Sequence, residues 1–275
     1  MNASNEYASP PDTLQAGVPP YFTSLKPFAG LFATGVPWLM YHKLGPRPGG
    51  VLLKGLYISR ALFERQLSEL RRAGFTTPPC GPPPSGEGNP ERRIALTFDD
   101  GFANVFEHGL EPLARHGVRA MEYLVAERVG GWNDWEMEKG EAREPLMNAS
   151  QIKEWLAAGH EIGSHSLTHP FLTRISVARA REEVGASKKK LEDRFGVPVR
   201  HFCYPYGDWS PAVRDLVIAA GYETACTTEV GVNTSATPRF ELKRILVRYR
   251  SISVKAFKER LARAGRQWTA RRGPR

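Results

Sequence analysis

The chain has 275 residues, of which 41% are apolar and 24% are charged, a composition typical of a folded globular protein. This length accommodates one large α/β domain or two small ones, and we expect one. The three cysteines form no C-x-x-C pair and are odd in number, which argues against a disulfide scaffold and a zinc ribbon.

The positive charge is concentrated at the carboxyl terminus. Of the net charge of +9, residues 255–275 carry +7, with eight Lys and Arg against one Glu, and the other 254 residues carry +2. Two interpretations stay open: contact with an anionic surface such as lipid or an acidic polymer, or a solvated terminal helix with Phe257, Leu261 and Ala264 at helical spacing. No nucleic-acid partner is expected, because the rest of the chain is nearly neutral.

The composition divides the chain into three parts. Residues 1–35 are rich in Pro, Ser, Gly and Ala and predict an extended or disordered N-terminal arm, residues 36–250 form the main domain, and residues 251–275 form a basic helix or tail. No signal peptide is visible in residues 1–24, so a cytoplasmic or peripheral membrane location is expected rather than secretion. No segment approaches the ~20 apolar residues of a transmembrane helix.

The first elements of the main domain are a strand and a helix. Residues 36–41 form a short apolar strand that ends at His42. Ser59 is an N-cap signal for a helix to about Ala73, with Gly74 as its stop signal. The proline-rich segment 77–90 is expected to be a surface loop rather than a domain boundary.

The next strand ends in two acidic residues. Residues 94–98, Ile-Ala-Leu-Thr-Phe, form an uncharged run that predicts a strand buried on both faces, and Asp99, Asp100 and Gly101 follow it directly. Burial and mutual repulsion raise the pKa of at least one of two such carboxylates unless a cation is present. A metal ion is the simplest source of that cation.

A further strand is predicted over residues 119–126, and it contains an unusual charge. Glu122 stands in the middle of this apolar run. A buried carboxylate without a partner is costly. Glu122 is therefore expected either to face outward or to have a partner that the sequence does not identify.

Two histidines follow the next short strand, residues 160–163. They are His165 and His169, and a spacing of four lets both imidazoles reach one ion from a helical turn or a tight loop. One Asp with two His is a three-ligand set that leaves a position open for water, as in hydrolytic rather than structural metal sites. The second Asp remains available as a base.

The remaining elements continue the alternation of helix and strand. Helices are predicted over residues 178–195 and 210–220, and strands over residues 198–204, 222–227 and 242–247, with Cys203 and Cys226 as small core residues. This alternation predicts a largely parallel sheet, in which the carboxyl ends of the strands share one rim. Five candidate residues each follow a predicted strand and are expected on that rim: His42, Asp99, Asp100, His165 and Pro205.

Three strings in this order, TFDDG at 97–101, SHSLTHP at 164–170 and FCYPYG at 202–207, resemble the polysaccharide deacetylase family, also called NodB-homology proteins or family-4 carbohydrate esterases. The resemblance covers about residues 36–247. The string LMYH at 39–42 is similar to the poly-N-acetylglucosamine deacetylase branch. The resemblance implies an irregular (β/α) barrel of about seven strands and makes residues 36–250 a polysaccharide deacetylase catalytic domain.

The resemblance also implies roles for the site residues. Asp100, His165 and His169 hold a divalent metal ion, with zinc expected, and Asp99 removes a proton from water. By analogy with the same branch, His42 protonates the departing amine; the alternative is an ordinary histidine in a loop. Relatives with a late Leu-x-His motif would show it near residues 245–249, and its absence here favours His42.

The segment 205–208 lines the substrate groove in the family. The resemblance assigns the backbone N–H of Tyr206, after Pro205, to the oxyanion, and places Asp208 at the groove. Many relatives have an arginine two residues before the proline, whereas this chain has Cys203, which leaves no carboxylate-orienting arginine at that position. In the insertion 132–145, Trp132 and Trp135 either stack on sugar rings as substrate-binding residues or anchor the loop.

The expected activity is therefore metal-dependent removal of N-acetyl groups from an amino-sugar polysaccharide or oligosaccharide of the N-acetylglucosamine type, with release of acetate. One alternative is a deformylase or deacylase of a lipid-linked sugar, in which the basic tail contacts the membrane surface. The other is a catalytically silent carbohydrate-binding protein on the same fold.

Overall fold

The computed structural model describes residues 25–82, 88–139 and 141–248. Within these residues there are six α-helices and ten strands. The helices are α1 Ala29–Thr34, α2 Arg60–Arg72, α3 Ala103–His116, α4 Ala149–Ala157, α5 Val177–Phe195 and α6 Pro211–Ala219. The strands are β1 Val36–Tyr41, β2 Lys43–Leu44, β3 Tyr57–Ile58, β4 Ala95–Phe98, β5 Met121–Leu124, β6 Glu161–Ser164, β7 His201–Cys203, β8 Thr224–Val230, β9 Val232–Asn233 and β10 Leu242–Leu246.

Seven of these strands form a closed parallel barrel. Their order is β1, β4, β5, β6, β7, β8 and β10, and β10 pairs back onto β1 through Leu39 and Ile245. Strand β9 adds one short antiparallel pairing to β1, and β2 and β3 form a separate parallel pair. The predicted (β/α) barrel of about seven strands is confirmed, and all seven carboxyl ends lie at one rim because the strands are parallel.

Successive residues of the barrel strands face two different cores, as expected for a period of two. Leu39, Leu96 and Phe98 face outward and pack against the helices. The inward-facing residues form a smaller core inside the barrel: Val36, Trp38, Ala95, Met121, Tyr123, Cys203, Cys226 and Leu242. Both faces of each strand are thus buried, which explains the uncharged runs in the sequence.

Local capping signals define the helix ends. The Ser59 side chain accepts a hydrogen bond from the Leu62 N–H at the start of α2, and Asn148 and Gln151 form a reciprocal capping box at the start of α4. Helix α3 ends at Gly117, which adopts φ 62°, a left-handed conformation that glycine reaches without a Cβ clash. These caps direct each chain segment back to the next strand.

The N-terminal boundary of the domain differs from the sequence-based expectation. Residues 25–35 were expected to belong to an extended arm, but they contain a 3₁₀ turn, Lys26–Phe28, followed by α1. The rings of Phe28 and Phe32 are buried and pack 5.4 Å apart, so this segment belongs to the core. Pro27 and Gly30 interrupt the apolar spacing, which hid this short helix. The remainder of the arm, residues 1–24, lies outside the described residues, as does the basic segment 251–275.

In the described ranges, no helix combines the length and the apolar composition needed to cross a lipid bilayer.

A buried histidine at the amino-terminal end of the barrel makes stability depend on pH. His201 is 3% exposed, and its Nδ1 lies 2.8 Å from the Thr224 hydroxyl. Burial, together with the charges of Arg200 and Lys188, lowers the pKa of His201 to about 4, against ~6.5 in an unfolded chain.

Below pH ~6.5 this histidine binds a proton in the unfolded chain but stays neutral in the folded chain. The free energy of unfolding therefore decreases as the pH falls towards 4. We expect His201 to account for a loss of about 2 kcal/mol in the free energy of unfolding between pH 7 and pH 5. Urea unfolding at both pH values, compared with His201→Asn, measures this difference. Equal pH slopes in the two proteins would contradict the assignment.

Candidate active site

The rim at the carboxyl ends of the barrel strands collects the predicted site residues. His42 follows β1, Asp99 and Asp100 follow β4, and His165 follows β6. Tyr41 pairs with Phe98 in the sheet, so the residues that follow β1 and β4 emerge side by side. The rim placement predicted from the strand pattern is what the structure shows.

Three side chains on this rim converge on one point. Oδ1 of Asp100 lies 3.4 Å from Nε2 of His165 and 3.2 Å from Nε2 of His169, and the two Nε2 atoms are 3.2 Å apart. Ligands ~2.0–2.1 Å from a tetrahedral zinc ion are separated by about 3.3 Å. The donor set and its spacing therefore fit a divalent ion. All three residues are 5% exposed or less, so the site is shielded from bulk water.

The protonation of His165 is set by its other nitrogen. Nδ1 of His165 donates a hydrogen bond of 2.8 Å to the carbonyl oxygen of Cys203. This bond holds a proton on Nδ1, so Nε2 is the ring nitrogen that faces Asp100. Burial alone would raise the pKa of Asp100, but the two histidines hold it well below its usual value, so the carboxylate is ionised.

Four of the five non-glycine residues with positive φ in the described chain belong to this site. They are Asp100 at 82°, Ser166 at 65°, His169 at 69° and Tyr206 at 60°. Such conformations cost of order 1–3 kcal/mol each and persist where the surroundings enforce them. The local backbone is thus shaped by the demands of the site.

The second carboxylate, Asp99, is paired with an arginine that the sequence analysis did not identify. Nη1 and Nη2 of Arg244 donate hydrogen bonds of 2.7 and 2.8 Å to Oδ1 and Oδ2 of Asp99. Arg244 lies on β10, is 1% exposed, and also donates to the carbonyl of Thr227 at 2.8 Å. Burial raises the pKa of Asp99, but Arg244 outweighs that effect and keeps the pKa below its usual value.

Cys203 makes room for this arrangement. Cys203 stands where many relatives have the arginine that orients the carboxylate. In this chain, Arg244 on β10 supplies the guanidinium that contacts Asp99 instead. Nη2 of Arg244 contacts the Cys203 sulfur at 3.1 Å, in space that a larger residue would fill. The only sequence signal for Arg244 was its place in the strand LKRIL. Two adjacent charges, Lys243 and Arg244, stand there, and the sequence does not show which of them faces the barrel interior.

Asp99, His165 and Cys203 also form a cluster of possible metal ligands. A cation there would lie beside the guanidinium of Arg244, which already neutralises Asp99. Like charges so close in a buried site repel each other strongly. The Asp100 cluster is therefore the better place for a metal ion.

His42 faces Asp99 across the site. Its Nε2 lies 4.0 Å from Oδ2 of Asp99, and its side chain is 18% exposed. Burial lowers the pKa of His42, while the charges of Asp99 and Asp100 act in the opposite direction. The structure thus brings His42 next to the acidic pair, as the sequence pattern predicted.

The loop that carries both histidines is held by a buried carboxylate from α5. Glu183 is fully buried; its Oε2 accepts hydrogen bonds from the backbone N–H groups of Leu167 and Thr168, at 2.9 and 2.8 Å. Its Oε1 accepts from the Thr168 hydroxyl at 2.6 Å and from Arg179 at 2.7 Å. Sequence reasoning missed Glu183, because it lies in a highly charged helix where no local pattern distinguishes it from its exposed neighbours.

Glu122 has the partner that the sequence could not identify. Its Oε1 accepts the backbone N–H of Gly101 at 2.9 Å, directly after the acidic pair. The side chain faces away from the barrel interior, between the sheet and the helices, and is completely buried. Burial and the nearby charges of Asp99 and Asp100 raise the pKa of Glu122 well above its usual value, whereas the hydrogen bond from Gly101 acts in the opposite direction.

An aromatic wall lies against His169. The ring of Trp135 stacks on His169 at 4.7 Å, and Tyr206 meets His169 edge to face at 4.5 Å. Phe171 stacks on the other side of Tyr206 at 3.9 Å. Trp135 and Tyr206 thus lie at the metal-ligand cluster, and the turn after Pro205 carries Tyr206 there.

Trp132 and Asp208 lie further out. Trp132 is 40% exposed, and the guanidinium of Arg143 lies 4.5 Å from its ring centroid. The two carboxylate oxygens of Asp208 accept hydrogen bonds of 2.7 Å from the backbone N–H and the hydroxyl of Thr173. Asp208 therefore joins two rim loops, and its contact with substrate stays a prediction.

The insertion that carries both tryptophans is attached to the segment after His42 by a buried ion pair. Nζ of Lys43 lies 2.8 Å from Oε1 of Glu144, and both side chains are buried. The Tyr57 hydroxyl also donates to Glu144, and Asn104 donates to its second oxygen at 3.0 Å. Glu141 accepts the backbone N–H groups of Leu52 and Leu53. The insertion is thereby a fixed wall of the rim.

Comparison with known proteins identifies the family. The family model described as "Polysaccharide deacetylase" matches residues 86–225, just over half of the chain. The chain belongs to the polysaccharide deacetylase family. The match covers the acidic pair, both histidines and the turn after Pro205.

Solved structures of the family support the same assignment. A polysaccharide deacetylase from Bacillus cereus is 28% identical, with a TM-score of 0.65, over 82% of this chain and 68% of the other. IcaB from Ammonifex degensii is 25% identical, with a TM-score of 0.64, over 78% and 92% of the two chains. The barrel and its surrounding helices are thus a family trait.

A curated relative, the peptidoglycan-N-acetylglucosamine deacetylase PgdA of Listeria monocytogenes, is 32% identical over 117 residues. The match covers 42% of this chain and 22% of the relative, so the chain spans about a fifth of that protein's length. Family membership supports carbohydrate deacetylation as the class of reaction.

The Asp99–Arg244 pair gives a stability prediction. Replacing Arg244 by Gln leaves a buried carboxylate without its counter-charge, so we expect the free energy of unfolding to fall by about 3–5 kcal/mol. Arg214→Gln is the control, because its ion pairs with Asp215 and Glu241 lie at the surface, where solvent screens them, so we expect a much smaller loss. Urea unfolding measures the free energy of unfolding of both variants. Equal losses would show that the buried Asp99–Arg244 pair contributes no more to stability than the surface ion pairs.

Glu183 gives a prediction for metal affinity. Glu183→Gln removes the charge that binds the loop N–H groups, so we expect the affinity for Zn²⁺ to fall about 10–100-fold. The neighbouring Glu182, whose side chain is 56% exposed, provides the matched control Glu182→Gln. Competition with a chromophoric chelator measures the affinity, with Glu183→Asp as a milder variant. Unchanged affinity in Glu183→Gln and Glu183→Asp would refute the role of Glu183.

Proposed function

We propose that this protein is a metal-dependent deacetylase that removes N-acetyl groups from an amino-sugar glycan of the N-acetylglucosamine type and releases acetate. The observation that carries the proposal is the cluster of Asp100, His165 and His169 at zinc-ligand spacing, with a second carboxylate, Asp99, beside it. The glycan class is supported by the name of the relative PgdA, which contains N-acetylglucosamine.

Asp100, His165 and His169 are the proposed ligands of the divalent ion, with zinc expected. When bound, such an ion supplies a Lewis acid that polarises the acetyl carbonyl and lowers the pKa of a water molecule towards ~7. The hydrogen bond from His165 to the Cys203 carbonyl and the contacts of Glu183 hold the two imidazoles in place for this role.

Asp99 is the proposed base that removes the water proton. The bidentate contact with Arg244 fixes its orientation and keeps it ionised, which leaves the remaining lone pairs of both oxygens available to accept a proton. A carboxylate without such a counter-charge would be protonated by burial and would be useless as a base.

His42 is the proposed acid that protonates the departing amine. Burial lowers the pKa of His42, which favours the neutral imidazole at neutral pH. The 4.0 Å between its Nε2 and Oδ2 of Asp99 is too long for a direct hydrogen bond, so the proton that Asp99 accepts is proposed to reach His42 through one bridging water molecule and then to pass to the amine nitrogen. The proton removed from water thus leaves with the amino sugar.

The groove around these residues is proposed to hold the substrate. The backbone N–H of Tyr206, next to Pro205, is the proposed oxyanion donor, and the packing of the Tyr206 ring between Phe171 and His169 fixes that turn. One face of the Trp135 ring stacks on His169, so Trp135 is proposed to form a wall of the pocket. The exposed Trp132 is proposed to stack on a sugar ring further along the groove.

Acetate release tests the proposed function directly. The full-length chain is incubated with a panel of N-acetylated glycans, and metal content is measured in the same preparation. We expect acetate release from N-acetylglucosamine oligomers by protein that contains a divalent metal, and loss of activity after chelation. A protein that binds these glycans but releases no acetate with metal bound would be a silent carbohydrate-binding module.

Two substitutions separate the proposed roles. Asp99→Asn is expected to keep the metal while lowering the rate about 10²–10⁴-fold, because only the base is lost. His165→Ala is expected to lose both metal and activity, because a ligand is lost. Metal analysis and acetate release are measured on both variants. Equal metal loss in the two variants would refute this division of roles.

A further inference from the structure

The exposed apolar side chains of this protein are distributed unevenly. In the part of the chain that the structure describes, five large hydrophobic residues are exposed: Leu52 at 62%, Trp132 at 40%, Met137 at 50%, Val177 at 60% and Ile218 at 45%. The first four lie at the end of the barrel that holds the candidate active site. Only Ile218, near the end of α6, lies at the opposite end.

The chain path places these four residues. Leu52 lies in the loop after β2, and Glu141 of the insertion accepts its backbone N–H. Trp132 and Met137 belong to the insertion after β5, the wall that also brings Trp135 onto His169. Val177 is the first residue of α5, directly after the loop with the two histidines. All four thus lie in segments that follow the carboxyl ends of barrel strands.

The basic tail leaves the barrel from the same end. Strand β10 runs parallel to β1, and the Val247 N–H donates to the Met40 carbonyl at 3.0 Å, so the chain reaches the rim at Arg248. Twenty-seven residues follow Arg248. Residues 255–275 among them carry a net charge of +7. The main positive charge of the chain is therefore attached at the active-site end.

Charge and apolarity together favour a lipid surface over a soluble polyanion. Arg47 and Lys54 are exposed on the loop around Leu52, whereas the insertion has more Asp and Glu than Lys and Arg, so the attraction to anions comes mainly from the tail. Nucleic acids and acidic polymers attract a basic tail, but they offer no apolar region in which exposed Leu, Met and Val side chains could be buried. An anionic bilayer satisfies both, because apolar side chains enter the interface between headgroups and acyl chains.

We propose that the end of the barrel bearing the candidate active site docks on an anionic phospholipid membrane. The basic tail provides the electrostatic attraction, and Leu52, Met137, Trp132 and Val177 insert at the interface. The indole of Trp132 next to Arg143 is a combination suited to the headgroup region. If the proposed deacetylase function also holds, on which this last point rests, glycans held at the membrane are the substrates within reach.

Vesicle binding by the full-length chain tests the docking face without any glycan. Co-sedimentation is measured with phosphatidylcholine vesicles and with phosphatidylcholine mixed with phosphatidylglycerol. We expect binding to the anionic vesicles, weakened by salt, and little binding to the neutral ones. Replacing Arg263, Arg266, Arg271 and Arg272 by Gln is expected to reduce the partition coefficient more than tenfold, roughly in line with the charge removed.

The apolar part of the proposal needs a separate variant. Leu52→Ser combined with Met137→Ser is expected to lower the partition coefficient about tenfold, whereas the control Ile218→Ser, at the opposite end, leaves it unchanged. Trp132 fluorescence is expected to shift to shorter wavelength on anionic vesicles, with the shift absent in Trp132→Phe.

Three outcomes would overturn the docking proposal. One is equal binding by the double variant and Ile218→Ser, which would mean that the tail alone contacts the lipid. Another is stronger binding to a soluble polyanion such as heparin than to the vesicles. The third is no binding to anionic vesicles by the full-length chain. None of these results depends on acetate release, so the docking proposal and the deacetylase proposal fail independently.

Discussion

Two carboxylates at the end of one buried strand set the terms for the rest of this structure. Asp99 and Asp100 are 2% and 4% exposed, and neither can stay ionised at that depth without positive charge nearby. The protein meets this requirement in two different ways. Arg244 is a fixed counter-ion for Asp99, and the two imidazoles around Asp100 provide the donor set for an exchangeable one. In the proposed function, one carboxylate therefore serves proton transfer and the other metal binding.

The surrounding chain is arranged to keep this division. Glu183 fixes the histidine loop through backbone N–H groups, and buried Glu122 supports the turn after Asp100 through the Gly101 N–H. The positive φ angles at Asp100, Ser166, His169 and Tyr206 show that the backbone pays a conformational cost at this place. Buried carboxylates from α5 and β5 help to hold that conformation.

The sequence was sufficient for the barrel and for the residues at its rim. The uncharged runs before His42 and Asp99 and the short strand before His165 marked the buried parallel strands, and parallel strands place their carboxyl ends together. The partners of these residues could not be predicted in the same way. Arg244 and Asp99 are 145 residues apart, and no local pattern links them. Glu183 sits among exposed charges on α5, so its burial depends on tertiary packing. The α1 segment was missed because a proline and a glycine break its short apolar pattern.

The position of Arg244 has a consequence for how the enzyme is made. The proposed base is formed by the first half of the chain, but its counter-ion is on β10, the last strand along the described residues and the one that closes the barrel against β1. Until β10 is in place, Asp99 lacks its arginine partner, and the barrel has two open edges. Closure of the sheet and pairing of the proposed base with its counter-ion are thus one event. A chain without β10 has neither a complete fold nor an oriented proton acceptor, so the proposed site is completed only together with the scaffold that contains it.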